Sequence, residues 1–210
     1  MSEYGNMTLD QYRDALASDA PTPGGGTAAA VALSQGAALA VMVCNLTEGN
    51  EKWKMGWGDA HSCRNVATKL LELGHQLASD DAQSFDDVMS AYKLPKNTDD
   101  EMSHRRLAIQ NATLNAAKVP MMTAESAYEL LELLPSLART GNGNAVTDVG
   151  VAGLLVSAAC KGALFNVEIN INSLSDEIGG NLRNQLEKLR ESCRDASREV
   201  MHAVNERMQS

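Results

Sequence analysis

Carboxylates standing where a helix calls for apolar side chains are the most chemically telling residues of this chain. Asp80, Asp81, Asp86 and Asp87 interrupt a segment in which Val66, Leu70, Leu73, Leu77, Ser84, Val88 and Ala91 keep a helical apolar period. Asp81 falls on that stripe, between Leu77 and Ser84. Its carboxylate is therefore expected to be partly buried and hydrogen-bonded, or to line a cleft, where it can move a proton or stabilise a cation. The competing reading is that the helix leaves the core here and the acids are solvated. Asp86 is a second candidate for the same work. Asp148 is a third, one turn into an apolar helix, although a carboxylate there also complements the helix dipole. Asn166 and Asn170, four apart, share a face of that helix. Their amides offer donors and acceptors suited to a heterocycle, or serve to tie helices together. Asp148 and Asn166 lie ~27 Å apart on a straight helix. They cannot grip one atom unless an extended ligand or a dimer interface joins them.

The second chemical signal is the stretch Asp19-Ala-Pro-Thr-Pro-Gly-Gly-Gly-Thr-Ala-Ala-Ala. Pro21 and Pro23 stiffen the approach. Gly24, Gly25 and Gly26 let a ligand come close to the main chain, and Thr27 is placed to cap the helix that follows. Unpaired N–H groups at such a helix start attract negative groups, so Pro23 to Thr27 form a candidate binding turn. An ordinary loop and cap would look the same. No acid or base adjoins the glycines, so this turn is expected to bind and position while aspartates elsewhere carry the chemistry.

These residues require long helices to hold them. Thr8 heads a short amphipathic piece over 9–17, and a second helix is expected from Thr27 to Leu46. A polar stretch, 48–58, leads to a long helix over about 60–92. Pro95 and Asn97 to Asp100 mark a break, with helix following over 99–118. Beyond it, Pro120 either starts a new helix or kinks a continuing one that runs to about Arg139. Gly141-Asn142-Gly143-Asn144 is a strong turn signal. Helices over 145–171 and 175–208 complete the chain, the last with Leu182, Leu186, Leu189, Cys193, Ala196, Val200 and Val204 alternating in steps of four and three. Val167 to Ile171 is the one strand candidate, and it continues a helical pattern. The expected fold is all-α: one domain spanning 1–210, a bundle of long helices. Two charge-poor helices are more than a monomer of this size readily covers, so a homodimer is expected.

Composition narrows the function. A formal net charge of −9 over 210 residues argues against a broad nucleic-acid surface and an anionic membrane. Ala20 to Thr47 carries no charge, but polar residues and many alanines dilute it and its flanks are acidic, so a buried helix is expected rather than a span. Cys44, Cys63, Cys160 and Cys193 form no CxxC pair and read as free, buried thiols of a cytoplasmic protein. His61, His75, His104 and His202 are dispersed, so no metal site is expected. The glycines lack the Lys-Ser/Thr ending of a phosphate-binding loop and follow no strand.

Residues 19–30 and Gly-Asn-Gly-Asn-Ala-Val-Thr-Asp-Val-Gly-Val-Ala at 141–152, continuing from Gly162 to Asn170, resemble the cyclodeaminase/cyclohydrolase family of folate enzymes. The block from Asp81 to Lys96, with Phe85-Asp86, Val88-Met89 and Tyr92-Lys-Leu-Pro-Lys, is similar to the family's middle segment. Thr27 and Thr147 stand where serine is expected, each keeping the hydroxyl. The segment 48–59 is less basic than the family pattern. The resemblance implies an all-helical homodimer acting on a tetrahydrofolate derivative, with no further cofactor. It implies one of two reactions at the carbon between N5 and N10. A cyclodeaminase closes 5-formiminotetrahydrofolate to the 5,10-methenyl form with loss of ammonia. A cyclohydrolase interconverts the methenyl form and 10-formyltetrahydrofolate. Deamination is taken first and hydrolysis as its alternative; a non-catalytic folate-binding or assembly dimer is the rival of another class. Asp81, Asp86 and Asp148 are then candidates for the proton-moving group. Pro23 to Thr27, Lys96, Asn142, Asn144, Asn166 and Asn170 are candidates for binding.

Overall fold

The computed structural model describes residues 4–209. Among them there is no strand, and six α-helices account for most of the chain: α1 (Leu9–Leu16), α2 (Gly25–Glu48), α3 (Trp57–Tyr92), α4 (Asp99–Thr140), α5 (Val146–Ile171) and α6 (Asp176–Gln209). Short 3-10 turns at Tyr4–Asn6, Glu51–Gly56 and Gly143–Ala145 join them. The strand candidate, 167–171, is helical and ends α5.

Helices α2, α3, α4 and α5 form a four-membered bundle in which each packs on the next, and α6 lies along α4 and α5. Contacts across α2 and α5 run in opposite senses: Gly25 is beside Asn166, Gly36 beside Val156 and the end of α2 beside Asn142. The pair is therefore antiparallel. Alanines, leucines and valines, with the four free cysteines, fill the centre. Small residues permit close approach: a Cβ on Gly74 of α3 would stand 2.8 Å from the Ala30 carbonyl of α2. By length and composition α2 and the stretch from Gly143 to Ile171 would suffice to cross a membrane, yet both pack within the bundle and are about half buried.

Two expectations need adjustment and one open alternative is resolved. The N-cap of α2 is Gly24, not Thr27. Thr27 lies inside the first turn, where its hydroxyl is directed across to α3. Of the two alternatives for Pro120, the continuing helix is the one observed: α4 runs through both Pro120 and Pro135. Packing on three neighbouring helices offsets the backbone bonds the prolines remove. Helix α3 begins at Trp57, because the 3-10 turn absorbs part of the polar stretch before it.

Candidate active site

The glycine turn delivers bare backbone to α3. Gly26 is buried against Asp81: a Cβ there would lie 2.6 Å from the carboxyl carbon. No side chain fits, and the carboxylate instead reaches the first turn of α2. Its Oδ2 accepts a hydrogen bond from the Thr27 hydroxyl at 3.1 Å, and the Thr27 backbone N–H also favours its charged form. Burial pushes the Asp81 carboxyl above the usual carboxylate range, while the Thr27 hydroxyl and backbone N–H pull it back in part. Asp81 therefore has the environment of a proton-transfer group, desolvated yet held in place.

Opposite Asp81, α5 contributes two amides. Asn166 Nδ2 donates to the Gly162 carbonyl at 2.9 Å. Asn170 Nδ2 donates to the Asn166 carbonyl at 2.9 Å and across to the Ala116 carbonyl of α4 at 2.8 Å. Between them lies a cleft of about 310 Å³, at the lower end of the range for ligand pockets. Its rim is Pro21, Thr22 and Gly24 to Gly26; Asp81, Ser84, Phe85 and Val88 of α3 form one wall, and Ala116, Asn166 and Asn170 the other. One carboxylate, a helix N-terminus, two amides and an apolar wall suit a planar, partly polar heterocycle.

Of the residues singled out in the sequence, Gly24, Gly25, Gly26, Asp81, Asn166 and Asn170 line this cleft, with Thr27 tied to its carboxylate. The others lie elsewhere in the chain. Asp86 is exposed on another side of α3, since five residues advance a helix by about 140°. It borders a separate groove that also contains Pro23 and Asp80. Lys96 is exposed on the connection between α3 and α4. Asn142, Asn144 and Asp148 sit at the far end of the bundle. Asn142 donates through its backbone N–H to the Thr47 hydroxyl and through Nδ2 to the Leu46 carbonyl, about 30 Å from Gly25 along α2. Among the described residues, no group of three His, Cys, Asp or Glu is placed to hold a metal ion.

Tyr12 was legible only as part of an apolar face. Its hydroxyl is buried without a hydrogen-bond partner among the described residues, and its ring meets Tyr4 edge-on at 6.2 Å. Burial, then Tyr4, then Asp81 push the phenol above its ordinary range. Ser84 and Val88 follow Asp81 at helical spacing and could be read from it. Ala116 bears no chemical signature, yet it lines the cleft and its carbonyl accepts from Asn170.

Comparison with known proteins finds relatives along most of the chain. The sequence model of the formiminotransferase-cyclodeaminase family matches residues 8–194. The chain is 41% identical over 172 residues to a methenyltetrahydrofolate cyclohydrolase of Methylorubrum extorquens, covering 82% of this chain and 83% of that one. It is 35% identical over 162 residues to the formimidoyltransferase-cyclodeaminase of Rattus norvegicus, which covers 74% of this chain but 29% of that longer protein. A solved formiminotetrahydrofolate cyclodeaminase from Thermotoga maritima superposes with a TM-score of 0.85 at 28% identity, over 97% of this chain and 98% of that one.

Proposed function

The chain belongs to the formiminotransferase-cyclodeaminase family, and from that premise we propose that it interconverts 5,10-methenyltetrahydrofolate and 10-formyltetrahydrofolate by hydrolysis. The observation that carries this reading is Asp81: a desolvated carboxylate, locked to a helix N-terminus, on the wall of a cleft that two amides close from the other side. In the hydrolytic direction water adds to the methenyl carbon while Asp81 accepts its proton. The tetrahedral carbon then collapses with cleavage of its bond to N5, which takes up a proton, and the formyl group remains on N10. The amides and the glycine turn hold the heterocycle. The relative from Methylorubrum extorquens, matched over most of both chains, supports this order.

Deamination is the second reading, favoured by the structural likeness to the Thermotoga maritima protein over nearly the whole chain. There N10 attacks the formimino carbon at N5, and a proton passes to the departing nitrogen, which leaves as ammonia. The same carboxylate serves either reaction, because both pass through a tetrahedral carbon flanked by nitrogens. Absorbance of the methenyl chromophore separates them. Loss of supplied methenyl substrate supports hydrolysis, and its appearance from the formimino compound supports deamination. Binding without either change points to a non-catalytic folate-binding protein.

The active form is proposed to be a homodimer. Met42 and Leu46 of α2, with Val151, Leu154, Phe165 and Ile169 of α5, are exposed on one face of the antiparallel pair. Two helices of this length present roughly 700 Å², close to the 800 Å² per partner of a stable interface. Gln35, Asn45 and Lys161 punctuate the face and suit a protein partner better than lipid. A two-fold axis through its middle sets the start of α2 in one copy beside the end of α2 in the other. Asn142, Asn144 and Asp148 of one copy then approach the Asp81 cleft of its mate, which reconciles their separation within one chain. Subunit mixing tests this. Asp81→Asn and Asp148→Asn proteins, each inactive, should recover up to about a quarter of wild-type activity when refolded together, since half of a random mixture is heterodimer with one intact site of two. Absence of recovery, with heterodimers present, would sink the shared site.

A further inference from the structure

Asn170 is held by a carbonyl that an ordinary helix would not offer. In an unbroken α-helix the Ala116 carbonyl accepts the N–H of residue 120. Residue 120 is proline, which has no N–H, so the buried Ala116 oxygen loses its intrahelical partner. Asn170 supplies the replacement from α5, donating through Nδ2 at 2.8 Å. Its second amide hydrogen goes to the Asn166 carbonyl at 2.9 Å. Both hydrogens are thus used on carbonyls. Turning the amide over would set Oδ1 against two carbonyl oxygens, which is electrostatically unfavourable.

The geometry points to Pro120 as a positioning residue: by freeing the Ala116 carbonyl it fixes the Asn170 amide in one orientation, so that this wall of the cleft offers Oδ1 as an acceptor and recognises a ligand through an N–H donor. This inference rests on the proposed folate site for its ligand, a pterin whose edge carries N–H groups, but not for its local chemistry. Pro120 itself touches no substrate in this scheme. An alanine at 120 restores the backbone N–H, which competes for the Ala116 oxygen and releases the Asn170 amide to rotate.

Two measurements test it. In the ligand-free protein, the Asn170 side-chain amide should exchange slowly with solvent by NMR in the wild type and measurably faster in Pro120→Ala. Equal exchange in the two would overturn the proposal whatever the enzyme's reaction. In the turnover assay, Pro120→Ala should raise KM about three- to tenfold with kcat little changed. Pro120→Ala combined with Asn170→Ala should bind no worse than Asn170→Ala alone, because both act through one amide. Full additivity of the two effects would also overturn it. Alanine is the stronger helix former, so unchanged helix content is expected. If Pro120→Ala proves misfolded, Pro120→Ser, which also restores the N–H, replaces it in the same exchange and KM measurements.

Discussion

At Asp81 burial and hydrogen bonding oppose one another, and burial prevails. A carboxyl whose folded pKa is raised favours the folded state in its protonated form. Its contribution is present below the ordinary carboxylate pKa and is lost as pH rises through the raised value. Asp81→Asn removes the buried charge while keeping an acceptor for Thr27. Melting temperatures from about pH 4 to 8 should therefore coincide for the two proteins at the acid end, with the variant the more stable near neutrality. Turnover should fall at least ~100-fold, the scale of a lost general acid–base. A variant that turns over normally would rule out Asp81 as the proton-transfer group. Gly26→Ala attacks the same contact from the other side. With the added methyl 2.6 Å from the Asp81 carboxyl carbon, the carboxylate must move, and activity should drop tenfold or more with a loss of about 1–3 kcal/mol in stability, read by assay and denaturant melt. The Tyr12 hydroxyl, buried and unpaired among the described residues, predicts the opposite sign. Tyr12→Phe should leave stability unchanged or raise it by up to about 1 kcal/mol. At this scale Asp81 was legible because it breaks an apolar stripe, whereas Tyr12 was not, because a tyrosine on such a stripe looks like packing.

Among the helices, glycines separate local preference from packing. Gly180 in α6 has open space where a Cβ would go, while Gly74 in α3 faces the Ala30 carbonyl and Ser34 of α2. Gly180→Ala should therefore stabilise by about 0.5–1 kcal/mol through helix propensity alone. The same change at Gly74 should destabilise by about 1–3 kcal/mol, because forcing α2 and α3 apart outweighs that preference. Paired denaturant melts decide both. Helix starts at Thr8 and within Asn97 to Asp100 were readable, and the structure closes each as a capping box with the glutamine or glutamate three residues after the threonine. The N-cap of α2 was misplaced by three residues, because Thr27 has a capping side chain but spends it on Asp81. Pro120 was ambiguous for a related reason: whether a proline interrupts a helix depends on what its neighbours supply.

The bundle leaves an apolar face of α2 and α5 uncovered, and the second copy is proposed to cover it. Phe165→Glu, at a side chain 69% exposed in the single chain, should convert a dimer to a monomer in light scattering and abolish turnover while helix content persists. A Phe165→Glu protein that stays dimeric and active would place the interface elsewhere. From sequence alone one could determine that the chain is helical, where most helices run, and which aspartates and glycine turns were chemically interesting, because periodicity, caps and turns are local and written in neighbouring residues. Only the tertiary structure decided that Asp81 meets the glycine turn and the two asparagines while Asp86, Lys96, Asn142, Asn144 and Asp148 lie elsewhere in the chain. Which faces of antiparallel helices meet depends on side-chain fit between segments far apart in sequence, and no local pattern records it.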